Sequence, residues 1–331
     1  GRVRPGDGVV GVVSPNLRSN GFSLVRSLFD ESDYQRPALG SSLGEVLLEP
    51  SVVYAPAVLA ATRRVPVSGM VHVTGGGLPG NLPRALPEGL TARIDPARWK
   101  PAPIFDLIRD QGRIDARWDE LGYAGRPDFG RAVAEYDRFE ALLKDAAVDT
   151  VPLPEAKGTD LDSIYVRDAA AVTDHGVILG NMGKAARRGE PEAVGLFLRA
   201  RGVPILGAIE GDGHLEGGDS VWLDDATLAV GHGYRTNAEG IRQLAALTGD
   251  FVRELIVVPL PHWEGPGDVM HLMSLISPVD RDLAVVYSRL LPVPFRRRLQ
   301  AGGYDFVEVP DNEFESMGAN VLATGPRQCL M

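Results

Sequence analysis

The sequence holds a single cysteine, Cys329, in 331 residues. One thiol excludes an internal disulfide and any zinc site built from several cysteines. No apolar run approaches the ~18 residues that a spanning helix requires, so no membrane partner is expected. The start, Gly1-Arg2-Val3-Arg4-Pro5, has neither an initiator Met nor the apolar core of a signal peptide. It reads like the inside of a longer protein, and a cytoplasmic location is expected. Excess basic charge is also missing. The net charge is −10, which argues against nucleic-acid binding, a function that needs a basic face.

What is present is an ordinary globular composition, 44% hydrophobic and 24% charged, which excludes a disordered chain or a collagen-like repeat. Length predicts roughly two domains. Residues 1–115 hold 13 Lys/Arg against 11 Asp/Glu, whereas residues 116–331 hold 21 against 33. That asymmetry suggests two parts of different origin.

The first part alternates short apolar runs with helical patterns. Strands are expected at 9–13, 70–74 and 92–95, and helices at 22–30, capped by Ser19 or Asn20, and at 52–62, 81–86 and 104–111. The run Gly75-Gly76-Gly77 offers either a phosphate cradle or a tight turn. A long amphipathic helix follows at 128–144, with Phe129, Val133, Tyr136, Leu142 and Leu143 as candidate core residues. After it, one pattern recurs: strand, polar turn, strand, helix. The hairpins fall at 170–179, 221–230, 275–286 and 320–330, with helices at 191–201, 237–247 and 294–301. Hairpin turns spaced about 50 residues apart fit a propeller-like repeat, although an ordinary α/β sheet alternates too. The switch between the parts lies within 110–127, without a Gly/Ser linker.

Several segments of the first part are familiar together: Gly6-Asp7-Gly8-Val9-Val10, Arg18-Ser19-Asn20-Gly21-Phe22, His72-Val73-Thr74-Gly75-Gly76-Gly77-Leu78-Pro79, Asn81-Leu82-Pro83-Arg84 and Trp99-Lys100-Pro101-Ala102-Pro103-Ile104-Phe105. In this order, over residues 5–115, they resemble the C-terminal domain of AIR synthetase (phosphoribosylformylglycinamidine cyclo-ligase). The resemblance implies ATP-dependent ring closure in purine synthesis by a homodimer. The family's ATP-binding domain and the closing strands of its C-terminal domain have no counterpart here, so no synthetase activity is expected.

The second part carries acids, bases and arginines in separate clusters: Asp162-Ser163-Ile164-Tyr165-Val166-Arg167-Asp168, Leu215-Glu216-Gly217-Gly218-Asp219, Arg235-Thr236-Asn237 and Met270-His271-Leu272. Individually each has a structural explanation, such as a turn, a cap or an ion pair. In combination, over residues 117–331, they resemble the guanidino-modifying superfamily of dimethylarginine dimethylaminohydrolase, arginine deiminase and amidinotransferase. The resemblance implies a five-bladed α/β propeller (pentein), no metal and no cofactor, and an arginine-like guanidino substrate. It further implies that Asp162 and Asp168 bracket the guanidinium and that Glu216 holds the guanidine or orients the histidine. His271 would act as general acid and base, and Arg187 and Arg235 would grip the substrate α-carboxylate. Arg167 stands where dimethylargininases have an acid, a feature nearer to deiminases and amidinotransferases.

The family's nucleophile is a cysteine after a Gly-rich loop near its C-terminus. Cys329 has no such loop before it and reads as a structural strand residue. The expectation is therefore a composite α/β chain. Residues 1–115 would be a partial AIR synthetase C-terminal-like domain. Residues 116–331 would be a truncated propeller that lacks its first strand and its catalytic-cysteine segment and is inactive as a hydrolase. The alternatives are a cyclo-ligase fragment and a non-catalytic binder of guanidino compounds.

Overall fold

In the computed structural model, which describes residues 3–18, 21–267 and 270–330, the chain forms two units, Gly1–Glu135 and Tyr136–Met331. The first unit is held by helices α1 (Phe22–Leu28), α2 (Leu43–Leu48) and, beyond α3 (Ala55–Thr62) and α4 (Gly77–Asn81), α5 (Pro103–Arg117). In α5 the buried residues Ile104, Leu107, Ile108, Gln111 and Ile114 recur at three- and four-residue steps, so one stripe faces inward. That stripe meets Val25, Leu28 and Phe29 at α1 and Leu43 and Leu47 on α2. Ser42 and Glu45 start α2 with a reciprocal capping box. The only pairing in this unit among the described residues joins β1 (Pro37–Ala38) and β2 (Ser41–Ser42).

The strands expected at 9–13, 70–74 and 92–95 are not strands. Those residues make no ladder, and Val9, Val10, Val12, Val13, Met70 and Val73 are exposed. A β-prone run becomes a strand only when a neighbour takes its hydrogen bonds, and no described segment does so. The cap expected at Ser19 or Asn20 lies outside the described residues; α1 begins after Gly21, which has φ 97° and makes no side-chain cap. The glycine run is a tight turn. Gly76 and Gly77 take φ 89° and 59°, and the buried Asn81 amide donates to the carbonyls of Thr74, Gly75 and Gly77. Helix α6 (Phe129–Asp145) forms as expected, but it buries no residue. Val133, Tyr136 and Leu142 are exposed. Its candidate core is thus corrected: periodicity shows that a face is apolar, not that anything covers it.

The second unit repeats a hairpin, a helix and a third strand. The first repeat is β3 (Ala170–Thr173), β4 (Gly176–Leu179), α7 (Glu190–Ala200) and β5 (Ile205–Ala208). The second is β6 (Ser220–Asp224), β7 (Thr227–His232), α8 (Ala238–Thr248) and β8 (Glu254–Pro259). The third is β9 (Ile276–Asp280), β10 (Leu283–Val286), α9 (Val293–Ala301) and β11 (Asp305–Glu308). After α10 (Asp311–Phe314), β12 (Leu322–Gly325) and β13 (Gln328–Leu330) pair alone. Within each hairpin the strands are antiparallel, and the third strand returns parallel to the second.

The four hairpins and three helices fall where the sequence pattern put them. The returning strands β5, β8 and β11 carry a weaker signal, because each is an edge strand with a half-exposed face. Core clusters draw residues from neighbouring repeats, Ala171 and Ile178 with Leu228 and Val230, and Val221 and Ala229 with Ile276 and Ala284. Each repeat thereby buries a face that it could not bury alone. The sheets stay separate, three of three strands and one of two in this unit, and do not close into one barrel. No helix among the described residues is long and apolar enough to cross a membrane.

Candidate functional site

Three repeats each present a polar residue just before their first strand: Asp168 before β3, Glu216 before β6 and His271 before β9. The start of a first strand lies beside the end of its antiparallel second strand, so these residues collect at one end of their sheets. A bridge between Asn181 and Leu215 ties the first repeat to the second. It brings the Gly183 N–H to Glu216 Oε1 at 3.0 Å. His271 Nε2 lies 2.8 Å from Glu216 Oε2, and His271 Nδ1 lies 3.8 Å from Asp168 Oδ1. All three are buried, Glu216 completely.

The glycines of Glu216-Gly217-Gly218-Asp219 make this convergence possible. A Cβ on Gly218 would sit 2.7 Å from Asp168 Oδ1 and 2.8 Å from the His271 ring. A Cβ on Gly217 would sit 2.2 and 2.3 Å from the carbonyl oxygens of Arg167 and Ala170. The backbone therefore runs directly against both functional side chains, and only glycine leaves them room.

Burial works against charge on His271, but its hydrogen bond to Glu216 and the charges of Asp219, Asp168 and Glu216 outweigh it, pushing the pKa up to about 9. Burial likewise raises the Glu216 carboxyl, yet the His271 hydrogen bond and charge, with Arg235 and Arg187, hold it below the usual range. An imidazolium and a carboxylate is thus the resting pair at neutral pH.

The remaining predicted residues surround this pair. Arg187 is almost fully enclosed, with Nη1 on Asp168 Oδ2 at 2.7 Å. Its Nε and Nη2 lie on the two oxygens of Glu190 at 2.9 and 2.8 Å. Burial opposes its charge, but the Glu190 and Asp168 hydrogen bonds raise its pKa above the ordinary guanidinium value. Asp162 is buried and bonded to Lys184 Nζ at 2.6 Å. Arg235 reaches within 3.9 Å of Glu216 Oε1, and its buried Nε has no hydrogen-bond partner among the described residues. Arg167 turns away to the Ser220 carbonyl, and burial lowers its pKa. Glu190 and Lys184 were missed from sequence; the only available signal for Glu190 was its spacing, one helical turn after Arg187.

Asp168, Glu216 and His271 also form the one group of candidate ligand atoms, among the described residues, that lie within 4.8 Å of one another. These atoms are committed to one another and to Arg187, which occupies one Asp168 oxygen, so a cation there would have to displace those partners and the imidazole proton.

Comparison with known proteins divides the chain in the same manner. Residues 4–119 match the profile of the AIR synthase related protein, C-terminal domain, and residues 161–323 match that of arginine deiminase. The first stretch is 46% identical over 118 residues to a putative phosphoribosylformylglycinamidine cyclo-ligase of Streptomyces fradiae, covering 34% of this chain and 65% of that protein. It is 50% identical over 116 residues to the cyclo-ligase of Anaeromyxobacter sp. strain Fw109-5, covering 34% of each. The chain thus spans about a third of the length of the Anaeromyxobacter relative and less than two thirds of the Streptomyces one.

Among solved structures, the fold is similar to dimethylarginine dimethylaminohydrolase from Pseudomonas aeruginosa, a cysteine-to-serine mutant complexed with citrulline. That match has a TM-score of 0.51 and 26% identity over 60% of this chain and 72% of that one. It is also similar in fold to the N-terminal domain of ArgZ, a cyanobacterial arginine dihydrolase bound to substrate, with a TM-score of 0.51 and 19% identity over 59% and 70% of the two chains. The chain is a composite α/β protein, in which an AIR synthase-like segment precedes a segment of the arginine deiminase and dimethylargininase type.

Proposed function

We propose that the second segment carries the repeats of a five-bladed propeller, whose central cluster in this chain binds arginine-like guanidino compounds without turning them over. Asp162 and Asp168 bracket the guanidinium, Glu216 holds it or orients the imidazole, and His271 is the acid and base of a guanidino hydrolase site. Arg235 and Arg187 serve the substrate carboxylate, with unequal freedom. Arg187 already spends its fork on Glu190 and Asp168, whereas Arg235 keeps a buried donor unpaired among the described residues. A buried donor without an acceptor is costly, and an incoming carboxylate would satisfy it.

The observation that carries this reading is the 2.8 Å His271–Glu216 contact with Asp168 beside it, delivered by three successive repeats. The P. aeruginosa relative is a dimethylargininase seen with citrulline, the product class that such chemistry yields. Calorimetric titration with L-arginine and with agmatine, which lacks the carboxylate, tests the proposal. L-Arginine should bind saturably, Asp168→Asn should weaken both ligands at least tenfold, and Arg235→Ala should weaken only L-arginine. No saturable heat for L-arginine up to about 10 mM, which corresponds to roughly 3 kcal/mol of binding, would sink it.

We further propose the division 1–115 and 116–331, with a cyclo-ligase-derived segment that performs no ATP-dependent ring closure. The expected strands of that segment lie unpaired and exposed, which supports this reading. Mass mapping of the natural product should recover peptides that span residues 110–127; their complete lack would show that the junction is not made in the cell.

A further inference from the structure

Beyond the residues that face the proposed ligand, one buried acid has no role yet. Asp219 is fully enclosed, and its Oδ1 accepts the backbone N–H of Leu272 at 2.9 Å, across 53 residues of sequence. Leu272 directly follows His271. This single bond therefore fastens the segment that carries the imidazole, in the third repeat, to the turn that carries Glu216, in the second. Two glycines are shaped around it. A Cβ on Gly231 of β7 would sit 2.5 Å from Asp219 Oδ1, and one on Gly218, the residue before Asp219, would meet the imidazole ring at 2.8 Å. The Thr236 hydroxyl accepts the Glu216 N–H at 3.1 Å, and Asp219 Oδ2 is buried without a hydrogen-bond partner among the described residues. One short turn thus holds both carboxylates and the histidine in register.

We infer that Asp219 is a positioning residue for His271, fixing the backbone beneath the imidazole and adding a third buried negative charge near it. This inference rests on the reading of His271 as acid and base. Asp219 touches neither ring nitrogen: Nε2 is taken by Glu216 and Nδ1 faces Asp168. Its influence is through the Leu272 amide and through charge alone. The groups that set the charge of His271 are Asp168 from the segment before β3, and Glu216 and Asp219 from the turn before β6. Arg187 and Arg235 lie behind the carboxylates.

The two contributions separate experimentally. Asp219→Asn keeps an oxygen for the Leu272 N–H and removes the charge; Asp219→Ala removes both. An opposite charge within a few ångströms favours the charged form by about one to three pKa units. The His271 midpoint, followed by side-chain nitrogen NMR on the ligand-free full chain, should therefore fall from about 9 by about one unit or more in Asp219→Asn. The Leu272 amide should stay protected from exchange in that variant and lose protection in Asp219→Ala.

A measurement on the unaltered chain guards against variants that do not fold. Burial pushes the Asp219 carboxyl up to about 6, so the His271 resonances should show a second, smaller inflection near that pH. An unshifted His271 midpoint in Asp219→Asn, or a wild-type titration with no inflection near pH 6, overturns the inference. Both readouts are made without ligand, so failure to bind arginine would count against the proposed function and leave this result standing.

Discussion

Neither citrulline nor free amine should be released when the chain is incubated with arginine, methylated arginines or agmatine. In this reading the cluster can hold a guanidinium and offer it a proton, while the single cysteine of the sequence, Cys329, is not among the described groups that meet there. That carbon belongs to a resonance-stabilised cation, and attack by water must overcome the resonance without a covalent intermediate. Removing the nucleophile from a concerted protease site costs about 10⁶-fold in kcat, and a loss of that order leaves no measurable turnover.

Cys329 sits in an apolar setting. It lies in β13 opposite Ala323, and it packs against the cluster of Val279, Val285, Tyr287 and Val309. A nucleophile must approach to ~3–3.5 Å of the reacting atom, and a side chain anchored in that apolar cluster is held by its packing. A sensitive colorimetric or mass-spectrometric assay of the chain beside Cys329→Ser decides the matter. Product from the unaltered chain that disappears in Cys329→Ser would make Cys329 the nucleophile.

Arg187→Ala should be the most damaging single substitution for stability. The guanidinium of Arg187 is the shared partner of Glu190 and Asp168, with side chains 4% and 11% exposed. Without it, two carboxylates face each other in a site that water scarcely reaches. Burial already pushes Glu190 upward, with Arg187 as the main opposing influence. Removing one partner of a buried ion pair costs about 3–5 kcal/mol, a fall in midpoint temperature of roughly 6–20 °C for a unit of this size. The hole left behind has the shape and charge complement of a guanidinium, lined by Asp168, Glu190 and the Tyr165 carbonyl. Guanidinium ion at low millimolar concentration, well below denaturing levels, should therefore restore much of the lost stability, whereas sodium should not. Arg187→Lys should fall between, since an ammonium cannot span both carboxylates. A melting temperature for Arg187→Ala equal to that of the parent would refute the account.

The same pair of acids explains why the roles of the two arginines were not separable in sequence. Both lie near the site and both are nearly buried. Only the fold shows that Glu190, a helical turn after Arg187, saturates one of them. The buried Nε of Arg235, in contrast, has no acceptor among the described residues.

Much of the second unit could be read from the chain itself. Short apolar runs broken by polar, Asp-containing turns marked the hairpins 170–179, 221–230 and 275–286, because local turn chemistry between two apolar runs decides a hairpin without distant help. The composite character was equally visible, in ordered motifs on either side of residues 110–127 and in the uneven charge. The returning strands β5, β8 and β11 were not visible. Each is an edge strand in a parallel pair, with a partly exposed face and no sharp alternation, so its identity is settled only by the strand that it joins.

The first unit shows the opposite limit. Its apolar runs at 9–13 and 70–74 have every local mark of strands, yet they remain unpaired. α6 likewise has an amphipathic pattern and buries nothing. Local sequence sets which residues seek burial and which backbone they favour. It does not supply a neighbour. In the candidate site the division is the same. From the sequence, Asp168, Glu216 and His271 stood out only together, through their resemblance to guanidino-modifying enzymes, and not one residue at a time. Tertiary structure decided that they meet, because three strand ends from separate repeats lie at one end of their sheets, and because Gly217 and Gly218 let the backbone pass where any side chain would hold them apart.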